Sequence, residues 1–116
     1  MKTTLTTLLL LITLTAFTQT VRSNYYEVFD SRTFKYDYFE EKVTFKIDLD
    51  YKEVTILYEN NTLSLEIQSF DSPTSMTCLD IETDCYYVIN IKPETKELSL
   101  YNSCVDGILT TYLINL

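Results

Sequence analysis

The sequence predicts an all-β protein: an antiparallel up-and-down meander of about eight strands, either a curled sheet or a small barrel. Three observations lead there. After Ala16 the chain contains no further Ala, the best helix former, while Tyr, Phe, Thr, Ile and Val abound. Apolar and polar residues alternate along most of its runs, the period of a half-buried strand. The runs are joined by short turns, which makes neighbours in sequence neighbours in the sheet.

Taken in order, residues 1–18 read as a signal peptide. Lys2 is the positive n-region, Leu8 to Leu14 the apolar h-region, and Ala16-Phe17-Thr18 the segment before cleavage at Gln19. The apolar stretch is about a dozen residues, short of the ~20 that span a bilayer as a helix. Residues 19–116 then form a single β domain. Asn24 to Glu41 is aromatic and reads as one long bent strand or a hairpin around Ser31-Arg32. Val43, Phe45, Ile47 and Leu49 alternate with polar residues, as do Val54, Ile56 and Tyr58, and then Leu63, Leu65 and Ile67. A turn at Asp50 to Glu53 pairs Leu49 with Val54 and Ile47 with Ile56. An Asn60-Asn61 turn, suited to type I′ geometry, pairs Tyr58 with Leu63 and Ile56 with Leu65.

Gln68 to Ser75 reads as a loop, followed by a short strand near Met76 to Leu79 and a turn at Asp80 to Thr83. Pro93-Glu94-Thr95-Lys96 is a turn in which Pro sets the first φ; it pairs Ile91 with Leu98, Ile89 with Leu100 and Cys85 with Cys104. Asp106-Gly107 folds Ile108 to Asn115 back and sets Leu100 opposite Leu113.

Composition removes several chemistries. The 116 residues include no His, so no imidazole base, His-based triad or His ligand exists. One Gly, Gly107, leaves no Gly-rich phosphate loop. The formal charge is −8, and −9 on residues 19–116, which opposes nucleic acid and anionic membrane as partners. Glu40 and Glu41 are adjacent, so a strand points them to opposite faces and they cannot share a substrate. No cofactor and no catalytic residue is expected, and the chain reads as a non-enzyme.

Four features carry what chemistry remains. Cys78, Cys85 and Cys104 are an odd set in an exported chain, so one bridge leaves one thiol over. The expected turns line them up across three strands, with Cys85–Cys104 the pairing that closes the longer loop. Asp80-x-Glu82-x-Asp84 has the alternating oxygen spacing of calcium loops, without the central Gly or terminal Glu of an EF-hand, and reads chiefly as a solvated turn. Tyr25, Tyr26, Tyr36 and Tyr38, near Asp37, Glu40 and Glu41, form a candidate recognition surface, against the plainer role of covering the rim of the core. Asn60-Asn61-Thr62 is a glycosylation acceptor in a eukaryotic secretory setting and a turn in a bacterial one.

The signal ending Phe17-Thr18-Gln19, together with the Cys78-x-Asp80…Cys85 hairpin, resembles small exported β proteins of unknown function from Gram-negative bacteria. That resemblance implies a periplasmic or extracellular location and brings no site residues with it. The sequence thus points to a secreted or periplasmic monomer that binds an unknown protein, surface or small ligand. The competing expectation is a lipocalin-like barrel carrying a small apolar ligand inside the face of Phe45, Ile47, Ile56, Leu65 and Leu100.

Overall fold

The computed structural model describes residues 18–115. The expected signal peptide therefore lies, but for Thr18, outside the described residues. Eight strands follow: β1 Thr18–Asp30, β2 Lys35–Asp48, β3 Glu53–Leu57, β4 Thr62–Ser72, β5 Ser75–Asp80, β6 Cys85–Lys92, β7 Glu97–Asn102 and β8 Ile108–Asn115. Each pairs antiparallel with the next, and β8 pairs with β1, so the sheet closes as an up-and-down barrel. The aromatic N-terminal stretch resolves as a hairpin, β1–β2, with Ser31 to Phe34 as its turn.

Alternation sends one residue in two to the inside. Val43, Phe45 and Ile47 of β2, Val54 and Ile56 of β3 and Leu65 of β4 are all buried. They join Ile89, Leu98 and Tyr112 in one core cluster. Burying such side chains is worth about 1.5–3 kcal/mol each, which is what holds a sheet of this size closed. The outward positions of β2 between them, Thr44 and Lys46, are polar. No helix among the described residues is long and apolar enough to cross a membrane.

Four hairpin turns share one design. Each loop has four residues: 31–34, 49–52, 81–84 and 93–96. Each ends on a non-Gly residue with positive φ immediately before the next strand: Phe34, Lys52, Asp84 and Lys96. In three of them the last strand residue is an Asp whose carboxylate accepts from the loop backbone. Asp30 takes the Arg32 amide at 2.9 Å, Asp48 the Asp50 amide at 3.0 Å and Asp80 the Glu82 amide at 3.1 Å. This is the side-chain turn that Asp offers, and it decides where the strand stops.

These caps correct the expected registers. Asp48 ends β2, so the loop starts at Leu49 and Ile47 faces Val54, with Phe45 opposite Ile56. Across β3–β4, Val54 faces Leu65 and Ile56 faces Leu63. Both ladders sit two residues from expectation, a shift that keeps every side chain on its expected face. The Tyr58 amide donates to the Asn61 carbonyl at 2.9 Å, which centres that turn on Glu59-Asn60. The expected loop at Gln68 to Ser75 is instead the far end of β4 and the start of β5, interrupted by two register irregularities.

The β6–β7 ladder has the expected register, with Ile91 opposite Leu98 and Ile89 opposite Leu100. β8 does not: Leu100 faces Thr110, and Leu113 faces Glu97 on the outside of the barrel. Here the shift is odd, so the face changes and Tyr112, not Leu113, enters the core. The cause is a connection longer than a two-residue hairpin. After Asn102, the Cys104 amide donates to the Asn102 side chain at 2.9 Å, and Cys104 is bonded to Cys85 before Gly107 turns the chain.

Candidate functional site

The β1–β2 hairpin positions the tyrosines, and an irregularity at Asn24 sorts them. Register slips there against both β2 and β8. The buried Ser23 hydroxyl holds the kink, donating to the Tyr25 carbonyl at 2.9 Å and accepting the Tyr25 amide at 3.3 Å. Past it the alternation is inverted: Ser23 and Tyr26 face inward and Tyr25 outward. The four tyrosines therefore do not form one surface. Tyr25, Tyr36 and Tyr38 share the outer face, while Tyr26 belongs to the mouth of the barrel.

On the outer face the registers of β2, β1, β8 and β7 generate three cross-strand rows. One row runs Tyr36, Phe29, Leu109, Tyr101; the next Tyr38, Glu27, Thr111, Ser99; the third Glu40, Tyr25, Leu113, Glu97. Tyr25 and Tyr38 are near-parallel with centroids 6.0 Å apart, Tyr38 and Tyr36 likewise at 6.3 Å, and Phe29 meets Tyr36 at 4.7 Å. Tyr25, Glu27, Glu97, Thr111 and Leu113 line a shallow depression of about 70 Å³ within these rows. The Tyr25 hydroxyl stays protonated to higher pH than a free tyrosine, through partial desolvation first, then the neighbouring Tyr38, Glu27 and Glu40. Phe29, Leu109 and Leu113 belong to the patch although the sequence reading did not select them. For Phe29 the signal was present, two residues from Glu27 on the same strand face; for the leucines it required the β8 register.

At the mouth, hydroxyl and carboxyl groups close the barrel. Tyr26 stacks on Phe39 at 5.1 Å and packs on Tyr112 at 4.8 Å, and its hydroxyl donates to Glu41 at 2.7 Å. The other Glu41 oxygen accepts the Glu59 amide at 3.0 Å. The Tyr58 and Tyr112 hydroxyls share a hydrogen bond of 2.7 Å. Burial is the first cause of the raised pKa of Tyr26, Tyr58 and Tyr112. An open cleft of about 290 Å³ lies above, lined by Tyr26, Glu41, Tyr58, Asn60 and Asn61.

The cysteines are only partly brought together. Cys85 and Cys104 form a disulfide, whereas Cys78 stands opposite Tyr87 and Ile67 as a buried thiol. The expected row of three fails because Asp80, not Cys78, faces Cys85 once Asp80 caps its loop. Burial first, and Asp71 second, push the Cys78 thiol up to about 12. A disulfide fits an oxidising, extracytoplasmic compartment.

The acidic loop does not gather its carboxylates. Asp80 is buried against the core side, while Glu82 and Asp84 are exposed and Asp84 closes the turn at φ 62°. Among the described residues no group of three or more Asp, Glu or Cys side chains is placed to hold a metal ion.

The fold and its surface define a small closed antiparallel β-barrel with an apolar interior and a partly aromatic exterior. In comparisons with known proteins the chain matches no family model, no curated protein and no solved structure.

Proposed function

We propose that this is an exported, non-enzymatic β-barrel domain that binds a partner through the outer aromatic face of β2, β1 and β8. The observation carrying this reading is the continuity of Tyr36, Phe29 and Leu109 with Tyr38 and Tyr25 across three strands. An exposed apolar patch of this kind costs solubility unless something uses it, and Tyr and Phe are the side chains that anchor protein interfaces. Export is supported by the signal-like residues 1–18, by the disulfide and by the resemblance to small exported proteins of Gram-negative bacteria.

An eight-stranded closed barrel is also the architecture of lipocalin-like carriers, which keep room inside for one small ligand. What favours the outer face is the state of the interior: Phe45, Ile47, Ile56, Leu65 and Leu100 are all buried within one packed cluster. Capture from the extracytoplasmic fraction of the source, with residues 19–116 immobilised, tests the choice. A species retained by the wild type and lost with Phe29→Ser/Tyr38→Ser, at unchanged thermal stability, is expected. Identical capture by both chains would overturn it, as would a bound small molecule of fixed mass in native mass spectra.

A further inference from the structure

The β1–β2 hairpin outruns the rest of the barrel. β2 has fourteen residues, but only Thr44 to Asp48 pair with β3. Residues 35–40 and 43 pair with β1 on one side, and among the described residues no strand pairs with the other. At the barrel end of this open edge, Glu59 makes two contacts: its carboxylate accepts the Lys42 amide at 3.4 Å, and its own amide donates to Glu41. From Lys35 to Glu41 the edge is bare, about 20 Å of extended backbone at the usual rise per residue.

Natural edges are usually blunted by Pro, by charged side chains, by bulges or by a covering element, and of these only charges stand along Lys35–Glu41. This segment has no Pro and carries Tyr36, Tyr38 and Phe39, which are 51%, 59% and 42% exposed. Its charges are Lys35 against Asp37, Glu40 and Glu41 on the strand, a net −2, with Glu27 on the neighbouring strand β1. The one ion pair among the described residues, Arg32–Asp30, lies at the hairpin tip and neutralises none of these. The edge thus offers unpaired backbone, aromatic rings and carboxylates together.

We infer that the open edge of β2, Lys35–Glu41, binds an extended, basic segment of a partner polypeptide by strand addition. Backbone hydrogen bonds to the bare edge supply the pairing, as in other strand-addition sites. Lys or Arg side chains at alternate positions then lie over Tyr36 and Tyr38 and beside Glu40, where ring faces and carboxylates both attract a cation. A second copy of this chain is the poorer occupant. The same segment of a second copy carries Lys35 against Asp37, Glu40 and Glu41, a net charge of −2, so two such edges repel overall. The inference rests on the reading that the β1–β2 side binds a partner, and it names that partner's chemistry.

Hydrogen–deuterium exchange on residues 19–116 tests it, with a ten-residue peptide of alternating Lys and Thr as probe. Two control peptides replace Lys by Glu or carry N-methyl groups on alternate backbone amides. The Lys peptide is expected to slow exchange within residues 35–41, and both controls to leave it unchanged. Glu40→Gln is expected to weaken the Lys peptide by about two- to fivefold, the range of a single exposed charge contact, and Asp37→Asn, on the opposite face of the strand, to leave it unchanged. Absence of protection at 35–41, or equal protection by the N-methylated peptide, overturns strand addition. Protection without any peptide, accompanied by a dimer mass, assigns the edge to a second copy and also overturns it. Phe29→Ser separates the two readings, since Phe29 lies on the outer face and off the edge. If it alone abolishes binding while exchange at 35–41 never changes, the aromatic face stands and the edge pairing falls.

Discussion

Among the described residues five hold left-handed backbone, and only one of them is Gly. Phe34, Lys52, Asp84 and Lys96 have φ between 53° and 62°, and Gly107 has φ 78°. Each stands immediately before a strand, where a four-residue loop or the β7–β8 connection must turn its last peptide into the sheet. A side chain there costs about 1–2 kcal/mol, because its Cβ crowds the following carbonyl. Part of that is offset by the lower entropy of a non-Gly residue in the unfolded chain. Lys52→Gly and Lys96→Gly are therefore each expected to stabilise the protein by about 0.5–1 kcal/mol. Gly107→Ala is expected to destabilise it by about 1–2 kcal/mol. At Gly107 the conformational strain adds to crowding, since a Cβ would stand 2.9 Å from the Ser31 hydroxyl. Urea midpoints followed by circular dichroism would measure all three; a stabilised Gly107→Ala would contradict the assigned turn. The Asp106-Gly107 turn was legible because Gly marks it. The left-handed positions in the other four turns were not, since Phe, Lys and Asp in left-handed backbone leave no compositional trace.

Among the elements, β6 and β7 were the most legible, because Pro93 pins one end of their loop and leaves little freedom in register. The Cys85–Cys104 bond ties the other end across a sequence separation of 19. Closing a loop of that length removes unfolded-state entropy worth about 3 kcal/mol. Cys85→Ala/Cys104→Ala is expected to lose about that much, read as a lowered urea midpoint. Cys78 supplies an internal check. Its buried thiol, with pKa raised to about 12, is expected to resist alkylation in the folded wild type and to react once urea unfolds the chain. Rapid labelling of native protein would mean that β5 opens easily. The registers around β3 and β8 were less legible for a shared reason: side-chain hydrogen bonds set them. Asp48 and Asn102 end their strands by accepting loop amides, and hydrophobic alternation alone is blind to a two-residue slip. The odd slip at β8 escaped even the face assignment, since Leu113 and Tyr112 both fit an inner position by composition.

For the whole molecule, the same tyrosines that close the barrel make it sensitive to base. Tyr26, Tyr58, Tyr87 and Tyr112 all have pKa values raised above 10, burial being the first cause in each. The folded state holds these protons after the unfolded chain has begun to lose them. Their contribution is therefore fully present below about pH 10, and stability falls as pH rises beyond it. With no His in the chain, stability is expected to be level between about pH 6 and 8. Thermal melts against pH, alongside tyrosinate absorbance, check both statements. The buried tyrosines should ionise together with unfolding; their smooth titration in the folded protein would refute the buried network. The sequence by itself determined the all-β class, the number and order of strands and most inward positions, because period-two alternation and short connections are local properties. Only the tertiary structure decided closure of β8 onto β1, the registers and the division of the tyrosines. Closure depends on twist and stagger summed over eight strands. The tyrosines divide at Ser23, where one buried hydroxyl reverses the alternation and sends Tyr25 outward and Tyr26 into the mouth.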